Sequence, residues 1–384
     1  MKTVAEYKRL DELCHLNMGQ SPDSNSYNDN GEGLPFYQGN ADFGVIHPKV
    51  RVWCNAPTKI VDEGSLLISV RAPIGALNIA NERCCIGRGL AGITSKDGVN
   101  QKYIYYCLKG KNRELNAKGT GSTFKAIAKN ALGEMLVKVV SEEEQEKIVF
   151  SLDKITTIIE SRKQQLQELD NLVKARFVEM FGDIVVNTHS LPTYLLKDLA
   201  LLITKGASPN WQGFNYIEDE EQTLFITSEN VREGYLDFSK SKYIEDGFNE
   251  KQKRSVLQKG DFLINIVGAS IGRAAQFKID KKANINQAVA LVRVEDERIV
   301  DGYLLEYLNS EKALQMYFAM QSDTGRANLS LEDIGNLVIL LPPVNEQRIF
   351  DGFVQQINKS KVVVQKALDE AQTLFDSLMQ EYFG

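Results

Sequence analysis

Arginine, lysine, asparagine, glutamine and hydroxyl side chains on glycine-rich loops are the groups that hold phosphate oxygens and read base edges. This sequence carries two sets of them. The first set is Ser21, Arg71, Arg88, Thr120, Ser122, Thr123 and Lys125; the second is Ser208, Asn265, Arg273, Asn286, Gln287, Thr324, Arg326 and Asn328. Each residue sits in or beside a stretch broken by glycine or proline: MGQSP, LLISVRAPIG, CIGRGLAGI and GTGSTFK for the first set, KGASP, FLINIVGASIGRA, INQAVALV and DTGRANL for the second. If these landmarks serve only to shape turns, base contacts fall instead to the loops that differ between the sets, 24–30 and 211–216.

Other chemistries fit the residues less well. GRGLAG at 87–92 satisfies GxGxxG, but its counterpart NQAVAL has no glycine and no helix clearly follows, so a dinucleotide site is not expected. GTGST at Gly119 lacks the GK[ST] ending of a phosphate-binding P-loop. LPPVNEQ holds the PP of an amino-methyltransferase NPPY motif without the Asn before it or the aromatic after it. It reads as the end of a strand and the start of a helix, with Asn345 as N-cap. No carboxylate-rich nuclease centre or Ser-His-Asp arrangement stands out. The three histidines are too scattered for a metal site. The five cysteines, Cys14, Cys54, Cys84, Cys85 and Cys107, are odd in number and contain no CxxC, which predicts reduced, buried thiols. No charged-then-apolar leader and no run of eighteen apolar residues is present, so a soluble, cytoplasmic protein without membrane contact is expected.

The net charge of −6 argues at face value against a polyanionic partner. Its distribution is uneven: residues 1–140 carry +5, 141–182 carry −3, 183–343 carry −6 and 344–384 carry −2. A mildly basic first segment leaves room for a basic face.

The elements that must position these loops fall into four segments. Residues 1–140 alternate short apolar runs with turns: a polar loop at 19–44, a strand at 66–70 entering a turn at Pro73 and Gly75, a strand at 84–94, an amphipathic helix at 101–115 and a strand around 135–140. This is a compact mixed α/β unit. Residues 183–343 reproduce its landmarks in the same order, the offset drifting from 187 through 196 and 199 to 202 as loop insertions would make it.

Residues 141–182 and 344–384 are long helices. In the first, Ile148, Leu152, Ile155, Ile159, Leu166, Leu169 and Val173 recur at steps of four and three, with Arg162 interrupting. In the second, Val354, Ile357, Val364, Leu368, Phe375 and Leu378 form the seam. Glu144-Gln145 matches Glu346-Gln347, and Phe181-Gly182 matches Phe383-Gly384, both 202 positions apart. About forty residues make a rod of roughly 60 Å. The simplest burial for two such stripes is against each other.

At LLISVRAPIG with CIGRGLAGI, GTGSTFKAI, EEEQEKI, FLIN…SIGR with INQAVALV, and LPPVNEQ, the chain resembles the specificity subunits of type I restriction and modification systems over essentially its whole length. The resemblance implies two α/β target-recognition domains, 1–140 and 183–343, in a tandem repeat, with the two helices packed as an antiparallel coiled coil that sets their separation. It implies binding of double-stranded DNA at a bipartite, asymmetric target. It also implies a non-catalytic chain with no cofactor of its own. S-adenosylmethionine would bind the partner methyltransferase subunits, two of which dock on the scaffold, and a restriction and translocase subunit can join them. A free-standing modification enzyme would need a cofactor motif and an NPPY-like site. A coiled-coil adaptor without DNA would not need two α/β modules repeated around glycine-rich, Arg-bearing loops.

Overall fold

The computed structural model describes residues 6–121, 125–320 and 328–384. Ser122, Thr123, Thr324 and Arg326 lie outside the described residues. The chain forms two compact units, Met1–Lys163 with Gln365–Gly384, and Gln164–Val364.

The first unit is built around the all-buried strand Leu66–Ser69, whose unbroken apolar run suits a strand covered on both faces. It lies in a four-stranded sheet of spatial order Cys14–Met18, Leu90–Ser95, Leu66–Ser69, Leu77–Ile79, all antiparallel. A smaller sheet runs Tyr27–Asn28, Trp53–Cys54, Leu34–Tyr37, Cys84–Ile86, Ile60–Val61, with Leu34–Tyr37 parallel to Cys84–Ile86. A third pairing joins Glu6–Arg9 to Leu136–Val139.

The second unit repeats this order, except that its smaller sheet has four strands and lacks a counterpart of Ile60–Val61. Its main sheet runs Ala200–Lys205, Val289–Val294, Phe262–Asn265, Ala274–Gln276, and its smaller sheet Tyr216–Ile217, Lys242–Ile244, Thr223–Ile226, Ala283–Ile285. The last two strands are again parallel, and Thr193–Leu195 pairs with Val338–Leu340. The fold is therefore mixed α/β and occurs twice.

Three expectations are corrected. The apolar run at 84–94 is two strands, Cys84–Ile86 and Leu90–Ser95, in different sheets, because the turn at Gly87-Arg88-Gly89 carries the chain from one sheet to the other. The helix expected at 101–115 breaks at Lys111 into Gln101–Gly110 and Asn112–Ala117. The last long helix already includes Val344, so Asn345 is helical, and the carbonyl of Pro343 accepts from the amides of Glu346 and Gln347 where an N-cap would.

The long helices are Glu142–Phe181 and Val344–Phe383, 40 residues each. Each unit takes part of both. In the first unit Ile148, Leu152, Ile155 and Ile159 are buried with Phe375 and Phe383, and Leu368 and Leu378 pack at the margin. In the second, Val173, Phe177 and Phe181 are buried with Phe350, Val354 and Ile357, with Leu169 at the margin. Leu166 is half-buried and Val364 buried. Asp170 meets Lys361 at 2.5 Å, and the Phe177 and Phe350 ring centroids lie 5.5 Å apart. A later residue of one helix thus faces an earlier residue of the other, so the pair runs antiparallel.

Candidate nucleic-acid interface

Backbone hydrogen bonds gather the first set of landmark loops into one strip. The amide of Gly19 donates to Leu90 O at 2.9 Å and that of Gln20 to Ile86 O at 3.0 Å. A Cβ on Gly19 would stand 2.1 Å from Gly87 O, so only glycine permits this approach. The Arg88 amide donates to Ser21 Oγ at 3.4 Å. Val70 N then bonds Gly89 O, Ala72 N bonds Lys125 O, and Ile127 N bonds Val70 O, while Arg71 and Thr120 both bridge to Ala126. Arg71, Arg88, Thr120 and Lys125 are exposed along this strip, and Ser21 is half-buried. Among the described residues none of the three cations has a carboxylate partner. Their charge is available to an external anion.

The second unit builds the same strip. A Cβ on Gly206 would lie 1.7 Å from Ile285 O, Asn286 N donates to Ile226 O, Ile266 N to Ala288 O and Leu329 N to Ile266 O, and Val267 bridges to Asn328. Gln287 and Asn328 are exposed; Ser208 and Asn286 are half-buried. Two candidates fall elsewhere. Asn265 is fully buried, its amide donating to Ser228 O, Val231 O and Ser270 Oγ, so it shapes a turn and cannot meet a ligand. Arg273 lines a cavity of about 1440 Å³ with Arg232, Asp237, Glu306 and Lys361.

The smaller sheet of the second unit adds an aromatic and basic cluster, in which Phe214 and Tyr216 belong to the loop 211–216 already named and Phe225, Phe248, Lys242 and Lys251 were not singled out in the sequence. Phe214, Phe248 and Phe225 pack edge to face at 5.6 and 5.5 Å, and Tyr216 lies 5.8 Å from Phe225. Lys251 stands 5.1 Å over Phe214 and Lys242 5.6 Å over Tyr216. Lys242 holds the Glu229 carboxyl below its usual range through their hydrogen bond, and Lys282 does the same for Asp246. The signal for Lys242, Phe248 and Lys251 was the mixture of Lys with Phe and Tyr through 238–253. Among the described residues no cluster of His, Cys, Asp or Glu could hold a metal, and no helix is long and apolar enough to cross a membrane.

Two α/β units of like topology, each offering glycine-shaped loops with polar groups, the first also with unpaired basic ones, and joined by helices that continue from one unit into the other, define a two-module recognition protein. The chain belongs to the type I restriction modification DNA specificity domain family, whose model matches residues 3–171 and 193–367. A putative type I restriction enzyme specificity subunit (MjaX) of Methanocaldococcus jannaschii is 43% identical over 158 residues, a match spanning 41% of this chain and only 37% of that relative. The EcoBI specificity subunit of Escherichia coli is 21% identical over 420 residues, covering 97% of this chain and 83% of its own length. The solved type I S subunit of M. genitalium shares the fold, with a TM-score of 0.60 at 16% identity, covering 100% of this chain and 98% of that one.

Proposed function

We propose that this chain is the sequence-specific DNA-recognition subunit of a type I restriction-modification complex. It binds a bipartite, asymmetric target through its two units and scaffolds methyltransferase subunits, with a restriction subunit as a further partner. The observation that carries this reading is the duplicated strip of loops, which in the first unit exposes three cations lacking carboxylate partners. Phosphate neutralisation by such groups supplies affinity, and the unequal side chains of the two strips supply different base preferences. The chain itself performs no methyl transfer; S-adenosylmethionine belongs to its partner. The complex works in the cytoplasm, where its DNA is.

Methylome sequencing of a host with and without the gene tests this. Deletion should erase methylation at one split motif while leaving other motifs intact. If no bipartite motif disappears, the reading fails. Exchange of one unit should change one half of the motif only. Replacing Leu166 and Leu368 with glutamate should abolish assembly with the methyltransferase while each unit stays folded.

A further inference from the structure

Each unit carries, just past the Ser-Pro of its first landmark loop, a single 3-10 turn that leads to an edge strand of its smaller sheet. In the first unit the turn is Ser24–Ser26, after Pro22 and before Tyr27–Asn28. In the second it is Asn210–Gln212, after Pro209 and before Tyr216–Ile217. The tips of the two turns are Asn25 and Trp211. Both are exposed, and Trp211 is 91% exposed, the most of any large apolar side chain found exposed among the described residues.

Hydrogen bonds brace both tips from below. Asp23 Oδ1 accepts from the Asn25 amide at 2.9 Å, and buried Ser26 donates to Asp23 O. Under Trp211, the amides of Gln212 and Phe214 both donate to Pro209 O, Gly213 takes φ 83° to close the turn, and Lys251 Nζ donates to Gln212 O at 2.9 Å. Phe214 is anchored against Phe248. A large aromatic ring held in water on a fixed platform gains nothing for the fold. The exposed Lys205, at the start of this loop, and Lys251, which braces its middle, have no carboxylate partner among the described residues. The acidic run at 218–221 begins only beyond Tyr216–Ile217, and Asp219 is engaged by the amide of Glu221.

We propose that these two tips are points at which the units touch bases, in addition to the strips: Trp211 places its ring face against a base of one half-site, and Asn25 bonds a base edge of the other. This deepens the DNA-recognition reading and rests on it. An aromatic ring offers stacking or wedge contact to a base step, whereas an amide offers paired donor and acceptor to an adenine edge. The same turn carrying such different groups makes it a source of the target's asymmetry.

The test uses the full chain with its methyltransferase partner, comparing wild type with Trp211→Ala, Trp211→Phe and Asn25→Ala by methylome sequencing. It also measures binding of a duplex carrying the wild-type motif. Trp211→Ala should relax or lose one half of the motif only and weaken binding about ten- to a hundredfold, the worth of one base stack. Trp211→Phe should keep most of the affinity. Asn25→Ala should alter the opposite half. A wild-type host without any split motif overturns the recognition reading and this inference with it. A split motif that Trp211→Ala leaves intact, with binding within twofold, overturns this inference alone. So does a change in both halves by either variant.

Discussion

Gln145 and Gln347, 202 positions apart, make the same three hydrogen bonds in their two units. Gln145 Nε2 donates to Val140 O at 3.1 Å and Gly98 O at 3.4 Å, and its Oε1 accepts from Asn100 N at 2.8 Å. Gln347 Nε2 donates to Pro342 O at 2.7 Å and Arg298 O at 2.9 Å, and its Oε1 accepts from Val300 N at 2.9 Å. Both are buried. Each staples the first turn of a long helix to the chain entering a neighbouring helix, Gln101–Gly110 or Asp301–Leu308. The repeat therefore extends to individual buried polar groups, where an unmade bond costs most.

Gln145→Ala should leave one amide and two carbonyls without their partner and destabilise the first unit by about 2–3 kcal/mol. Gln347→Ala should do the same in the second. Hydrogen exchange reads this locally: Gln145→Ala should speed exchange in the sheet of Glu6–Arg9 and Leu136–Val139, and leave Thr193–Leu195 with Val338–Leu340 unchanged. Equal loosening of both would contradict the local role.

The units differ at another matched pair. In the second, Arg293 and nearly inaccessible Asp261 form a two-pronged ion pair, Nε to Oδ1 at 2.7 Å and a second nitrogen to Oδ2 at 2.8 Å. The equivalent positions in the first unit hold two hydroxyls, Ser65 and Thr94, 3.2 Å apart. Removing only Arg293 strands a buried carboxylate, so Arg293→Ala should cost about 3–5 kcal/mol. The double change Asp261→Ser with Arg293→Thr transplants the first unit's solution and should cost less than Arg293→Ala alone. Denaturant melts of the three proteins decide it.

The fold was legible where burial has a local signature. The run of Leu66, Leu67 and Ile68, and the spacing of Ile148, Leu152, Ile155 and Ile159, identify a covered strand and a helical seam from neighbouring residues alone. The break within 84–94 was not legible, because apolar residues continue on both sides of the turn while the sheet changes. Nor was the fate of Asn265: an amide suited to a base edge is equally suited to capping a turn, and only its partners 34–37 residues away show which it does. Gln145 was visible as one of a matched pair, but its partners at Gly98 and Asn100 lie 45–47 positions away. Tertiary hydrogen bonds leave no mark in periodicity.

All five cysteines are buried and free. Burial pushes the thiol of Cys14 up to about 11 and those of Cys84 and Cys107 up to about 12. The thiolate is the reactive form. Iodoacetamide at pH 8 should therefore label none of them over an hour in the folded protein and all five in urea, counted by mass spectrometry. Fast labelling of Cys107 in the native protein would show that its helix opens readily.

Glu306 gives the second unit a pH dependence. It lies on Asp301–Leu308 and lines the cavity beside Asp170, Lys174, Lys278 and Lys361. Burial pushes its carboxyl above the usual range; Lys361 draws it back down and Asp170 pushes it further up. A raised value means that the folded state prefers the protonated form. Its contribution to stability is thus fully present below the ordinary glutamate value, about 4.3, and is lost as pH rises through the higher folded value. Glutamine resembles the protonated form at every pH. Glu306→Gln should match wild type near pH 4 and melt at a higher temperature than wild type at pH 7 to 8, the gap opening as the carboxyl ionises. A variant that melts below wild type at pH 8 would mean that the ionised carboxylate, held by Lys361 and Lys174, is the stabilising form.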